Sequence, residues 1–334
     1  MKIPFGLHRR IPRVRRVLEM LASATTERDA LREDLKAALR HIEVIQADLA
    51  GQKSVAAPRY PYVVAIPDQA LGAVALRMLS LLRPMDVVGK KLIRKGRPND
   101  GGYLMIDSGL DGVVAYSLGI NDDVSWDLDM AALGCQIYQY DHTIDALPKK
   151  HPNFHWYRTG IAAQPSADGV LQPLGDLIAR NGHAGRRDLI LKMDIEGYEW
   201  EVFDSMEPST LAQFSQISME MHTLALAPHD LQAKIASVLE KLYASHQPVH
   251  VHANNHGYFG IIGGVPIPDT LEVTYVRRTD HQFTDCKRIF PTEQDMPCRK
   301  DVPDFFLGAL GALPAPTVTE PAGTSVSKAV HGNS

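Results

Sequence analysis

Within LILKMDIEGYEWEVF (residues 189–203) the carboxylates Asp194 and Glu196 follow an apolar run that reads as a buried strand. In an open α/β sheet, ligands bind beyond the carboxyl ends of the strands, so acids at that point are placed for chemistry. His222 closes a second apolar stretch, FSQISMEMH, and an imidazole is suited to taking a proton from a hydroxyl near neutral pH. His252, Asn254 and Asn255 follow a third stretch and offer donors and acceptors to a sugar-like acceptor. Asp194, Glu220, His222, His252 and Asn254 together carry the carboxylate, amide and imidazole groups that Mg²⁺ or Zn²⁺ takes. No short ligand spacing links them, so a divalent metal is possible but not favoured.

A different chemistry is written earlier. Ser117-Leu118-Gly119-Ile120-Asn121 ends an apolar run and leads into a helix; Gly119 permits a tight turn, and the free N–H groups of the helix start suit an anion. About 20 residues on, Tyr140-Asp141-His142 ends the next run, where an acid is placed to accept from both hydroxyls of a ribose. The two together point to a nucleoside ligand. The G-x-G-x-x-G fingerprint of a dinucleotide site is absent, which disfavours NAD(P).

The elements that would hold these groups alternate. Strands are expected at 113–120, 136–141, 154–161, 189–194, 214–222, 248–254 and 270–278, with helices at 122–133, 171–180, 199–206 and 230–245 between them. Such alternation implies right-handed crossovers and a largely parallel doubly wound sheet. Only the turn-rich HGYFGIIGGVPIPD separates the last two strands, so strand seven is expected to run antiparallel. Seven strands with a late antiparallel one is the layout of class I S-adenosylmethionine (SAM) methyltransferases. Asp68 is placed to cap an amphipathic helix reaching residue 82, ahead of Pro84.

Residues from about 91 to 278 resemble an FkbM-type methyltransferase domain, a family of SAM-dependent O-methyltransferases. LILKMDIEGYEWEVF is similar to that family's strand-four signature, and Asp141, SMEMH, HANN (252–255) and GRPNDGGY (96–103) sit in the expected order. The resemblance implies that Ser117, Gly119 and Asn121 line the methionine end of SAM, Asp141 holds the ribose, His142 lies near the adenine, and Asp194 faces the methyl group or the acceptor. Methyl transfer to an alcohol needs a base for its proton, and the chemistry of imidazole makes His222 the first choice, with Asp194 orienting or activating the acceptor; the expected target is a hydroxyl on a sugar, polysaccharide or secondary metabolite. In one place the chain departs from the family: Ser117 stands where an acid is usual and Asp123 where a second glycine is. Asp100 or Asp122 are the candidates to replace that acid. The alternative is a degenerate methyltransferase-like scaffold working through its N-terminal helix.

Composition bounds the rest. The chain of 334 residues is 45% hydrophobic and 22% charged, with a net charge of −4, so no whole-chain basicity points to nucleic acid. Its three cysteines are too few for a disulfide framework and point to a reducing, cytoplasmic setting. A basic arm at 1–13, within a stretch to residue 17 that lacks acids, suits peripheral contact with anionic lipid at the inner membrane face. Heptad spacing over 14–50 suggests a coiled-coil helix that forms a homo-oligomer, followed by a linker at 51–66. The catalytic domain then covers 67–314, and 315–334 has the composition of a disordered tail.

Overall fold

The apolar runs assemble into one sheet in the computed structural model, which describes residues 63–316. The expected basic arm, heptad helix, self-association, most of the linker and nearly all of the tail lie outside the described residues. The sheet strands are β1 (Val114–Leu118), β2 (Gln136–Tyr140), β3 (Phe154–Tyr157), β4 (Leu189–Met193), β5 (Phe214–Met221), β6 (His246–Ala253) and β7 (Leu271–Arg277). Their order is β6-β7-β5-β4-β1-β2-β3. β3, β2, β1, β4 and β5 run parallel to their neighbours, while β7 is antiparallel to both β5 and β6. This is the expected seven-stranded α/β layout. β1 and β4 are buried at every position, as parallel strands covered on both faces must be, which is why they read as mostly apolar runs broken only by Ser117 and Lys192.

The strand order reverses between β1 and β4, so the crevice of the fold opens above their carboxyl ends. Helices α1 (Gln69–Leu81), α2 (Ser125–Ala132), α3 (Leu174–Arg180), α4 (Glu199–Ser205) and α5 (His229–Ser245) cover the sheet. Asp68 does cap α1, its carboxylate accepting from the N–H groups of Ala70 at 2.9 Å and Leu71 at 3.1 Å. Leu71, Ala75 and Met78 of α1 join Trp200, Phe203 and Phe214 in the main core. No helix among the described residues is long and apolar enough to cross a membrane.

Three stretches differ from expectation. Strand three ends at Tyr157, and Gly160–Ile161 instead pairs with Leu171–Gln172. The stretch between β6 and β7 is a hairpin, Phe259–Ile262 with Val265–Pro268, and Val63–Ile66 adds to it in parallel. The linker therefore ends sooner than residue 66, because VVAI carries the β-branched residues of a strand. Between α1 and β1, Leu92–Lys95 and Tyr103–Ile106 form a second hairpin, clamped to β5 by Gln216 through the Ile106 N–H at 3.0 Å and carbonyl at 3.1 Å. After β7, the charged segment folds back over the sheet, held by His250 to Asp295 at 2.8 Å. Cys135, Cys286 and Cys298 are all free and buried.

His246, wholly buried at the start of β6, donates from Nε2 to the Phe214 carbonyl at 2.9 Å and accepts from the Ser245 hydroxyl at 2.8 Å. Burial lowers its imidazole to about 4, against the hydrogen bond to Phe214. The native state thus refuses a proton that the unfolded chain accepts below about 6.5. Stability is complete above that pH and falls as pH drops from there toward 4, by about 1.4 kcal/mol per unit. Urea denaturation at pH 7 and pH 4.5 should show a loss on acidification that is about 2 kcal/mol smaller in His246→Gln than in the parent.

Candidate functional site

A cleft of about 510 Å³ opens over the carboxyl ends of β1, β2 and β4. Its walls include Gly119, Asn121, Asp141, His142, Asp194 and Glu196. Gly119 has φ +74°, and a Cβ there would overlap the carbonyl of Asp194, so only glycine lets the turn after β1 lie against the end of β4. Asn121 and Glu196 also adopt positive φ, +47° and +58°, on either side of the cleft. Backbone strain of this kind tends to gather at functional sites.

Asp141 braces that turn. Its Oδ2 accepts from the N–H groups of Ile120 at 2.8 Å and Asn121 at 2.9 Å, and its Oδ1 from the Thr143 N–H at 2.7 Å and hydroxyl at 2.6 Å. Burial would raise the carboxyl, but these bonds outweigh it and hold it below the usual range. The expected ribose acid is thus already the organiser of the glycine turn. His142 beside it is exposed and lies over Gly160, where a Cβ would meet its ring.

Ser117 does not line the cleft as expected; it is fully buried beneath the floor, next to Lys192 and Gln139 in the β-ladders. Lys192, inside the apolar run of β4, donates from Nζ to the Gly119 carbonyl at 2.5 Å. The charge of Lys192 is felt by Asp127 of α2, which accepts from Gln139 at 2.8 Å. Burial raises the Asp127 carboxyl, with Lys192 and Gln139 pulling the other way. Asp127 was missed because it belongs to the following helix; its only trace in the sequence is an acid at a core-facing position of SWDLDMAA.

At the far side, His222 lies among carboxylates. Its Nδ1 meets Glu199 Oε1 at 3.1 Å, and its Nε2 lies 3.4 Å from Glu220 and 3.7 Å from Glu196. Burial alone would lower the imidazole, but Glu199 and Glu220 together raise it to about 11. At neutral pH His222 is therefore an imidazolium, not the free base expected of it. Asp194 is different: it faces the cleft, and its Oδ1 is buried without a hydrogen-bond partner.

His252, Asn254 and Asn255 do not reach the cleft. His252 lies between Glu272 at 2.8 Å and Asp304 at 3.0 Å, and Asn254 donates to Glu220 at 2.8 Å. Asn255 pins the covering segment, donating to the Arg299 carbonyl at 3.0 Å and accepting from its N–H at 2.6 Å. All three are buried with their polar atoms engaged inside the protein; His252 and Asn255 hold the segment after β7 on the sheet, and Asn254 ties the end of β6 to β5. Of the five sequence-suggested metal donors, Glu220 bonds Asn254 and contacts His222, His222 comes together with Asp194, and His252 is turned to other partners.

No protein-family model matches the chain. The human probable methyltransferase-like protein 24 is 27% identical to it over 119 residues, covering 32% of this chain and 32% of that protein. The chain thus spans about a third of the curated relative it matches. Among solved structures, a SAM-dependent methyltransferase from Agrobacterium tumefaciens has 9% identity and a TM-score of 0.26 over 49% of this chain and 55% of that one. A mutant 16S rRNA (adenine(1408)-N(1))-methyltransferase from Catenulisporales acidiphilia has 10% identity and a TM-score of 0.27 over 57% and 100%. Neither likeness is close enough to carry an argument; the fold rests on the strand order above.

Replacing Asn255 by Ala would leave the Arg299 backbone groups without their side-chain partner, a loss of about 1–3 kcal/mol for buried polar groups. Limited trypsin digestion followed by mass spectrometry should then show faster cutting at Arg299 and Lys300 than in the parent, with the sheet core intact.

Proposed function

We propose that the protein is a SAM-dependent O-methyltransferase acting on a hydroxyl of a sugar, polysaccharide or secondary metabolite. The observation that carries this reading is the cleft at the strand-order reversal, with the Gly119 turn on one side and the unpartnered Asp194 oxygen on the other. The name of the human relative agrees with it, as does the strand-four resemblance.

The residues present suit SAM. The orphaned Asp194 oxygen offers negative charge to a sulfonium, and the glycine turn lets backbone come close to the ligand. A ribose hydroxyl would take the place of the Thr143 hydroxyl on Asp141 Oδ1, while Gly119 and Asn121 would flank the methionine end and His142 the adenine. When bound, SAM supplies an electrophilic methyl group whose transfer leaves a neutral thioether.

The chain's own work is to align and deprotonate. Asp194 would receive the acceptor's proton as the new carbon–oxygen bond forms, since it lines the cleft and its buried Oδ1 has no hydrogen-bond partner within the protein. His222, charged and held by Glu199, would act as a positioning residue that keeps the neighbouring acids in place. This exchanges the two catalytic roles suggested by the sequence.

Isothermal titration of the full chain with SAM should show binding; none would reject the proposal in favour of a scaffold. Asp141→Ala should weaken that binding, and unchanged affinity would remove the ribose role. Asp194→Asn should keep SAM affinity while turnover falls by about 10²–10⁴, the range of a lost general base; wild-type turnover would reject the assignment.

A further inference from the structure

Glu220 on β5 and Glu272 on β7 stand directly opposite each other in the antiparallel ladder, 6% and 5% exposed. Like charges facing across a ladder repel, and burial removes the water that would screen them. A third carboxylate joins them. The GRPNDGGY loop, at the tip of the hairpin clamped by Gln216, turns through Asn99 and Gly101 at positive φ and presents Asp100. One oxygen from each of Asp100, Glu220 and Glu272 lies within 4.8 Å of the others.

Each cation that pairs with this trio reaches one member of it. Arg97 lies 4.0 Å from Asp100 but 3.3 Å from Asp123. His252 faces Glu272 across the sheet, yet both ring nitrogens are engaged, one with Glu272 and one with Asp304. His222 is bonded to Glu199 and reaches Glu220 only at 3.4 Å.

A second observation points into the same space. The Tyr103 hydroxyl, on a side chain only 2% exposed, has no hydrogen-bond partner. Burial raises its ionisation most, and the charges of Asp194, Glu220, Glu272 and Asp100 raise it further, so it lies near them. The loop is also built in advance, with Arg94 donating to the carbonyls of Arg97 at 3.2 Å and Asn99 at 2.7 Å. Asn99 in turn donates to the Pro297 carbonyl at 2.7 Å.

We infer that Asp100, Glu220 and Glu272, with the Tyr103 hydroxyl beside them, form a binding site for a hard divalent cation of the Mg²⁺ or Mn²⁺ kind. The donors are all oxygens, the set such ions take. A bound ion would offset the repulsion between the paired glutamates, and it would tie the Asp100 loop to the sheet. Asp100 and Asp194 both border the cleft, so on the methyltransferase reading, which this clause alone rests on, the ion would lie beside the acceptor.

Electron paramagnetic resonance of the full chain titrated with Mn²⁺, without SAM, tests the site. One tightly bound Mn²⁺ per chain is expected, displaced by Mg²⁺. Loss of even an outer partner of a metal site typically costs 10–100-fold, so Asp100→Asn and Glu272→Gln should each weaken binding by about tenfold or more. Glu201→Gln, on the exposed face of α4, should leave it unchanged. Absence of bound Mn²⁺, or unaltered binding in Asp100→Asn, would overturn the inference. So would Zn²⁺ binding that depends on Cys298 with no Mn²⁺ bound. Thermal melts check that the variants fold; should Glu272→Gln fail, Asp100→Asn on its half-exposed loop decides. Mn²⁺ bound by a protein without SAM affinity rejects the methyltransferase reading alone, and SAM affinity without metal rejects this site alone.

Discussion

The contact on which the rest of the cleft depends is the one between the turn after β1 and the carbonyl of Asp194 at the end of β4. No side chain fits between them, so position 119 is glycine, and the two central parallel strands end side by side at the reversal of strand order. Each neighbouring feature secures that contact. Lys192 reaches from β4 to the Gly119 carbonyl, and Asp141 gathers the N–H groups of the turn from the β2 side. The charge of Lys192 is in turn opposed by Asp127 from α2, so three strands and a helix meet at one short loop. Arrangements of this kind hold backbone dipoles rigid before a ligand arrives, which is the condition for electrostatic preorganisation.

The sheet was legible because buried parallel strands leave a signal that no other element leaves: short continuous apolar runs, here ended by glycine, aspartate or histidine. Gly119, Asp141 and Asp194 were legible for a related reason. Each sits where a strand stops, and the carboxyl end of a strand in such a sheet has one destination. Ser117 was misplaced by one step in the same logic: within β1 its side chain is buried in the floor and does not line the cleft.

The histidines and asparagines were the harder problem, since sequence shows a residue's type but not what already surrounds it. His222, His252, Asn254 and Asn255 end their strands as expected, yet each is engaged by carboxylates or backbone from distant segments. Glu272 and Asp304 lie 20 and 52 residues from His252, and no local spacing announces them. The same distance hid Glu272 and its nearness to Asp100, which depends on a hairpin folding onto a sheet. The segment of residues 92–106 carried no strong periodicity, and the strand pairing that buries Tyr103 appears only in three dimensions.

Gln216 fastens that hairpin to β5 from 110 residues further along the chain. Contacts of such separation form late, because a long loop must close before they give anything back. Synthesis runs from the N-terminus, so the loop bearing Asp100 leaves the ribosome well before the strands it docks on, and β7, which supplies its opposing glutamate, comes later still. The half of the sheet built on β1, β2 and β4 can therefore order itself around the glycine turn while the other rim is still open. Completion of the cleft thus rests on a contact that cannot close until about 110 further residues have been added to the chain.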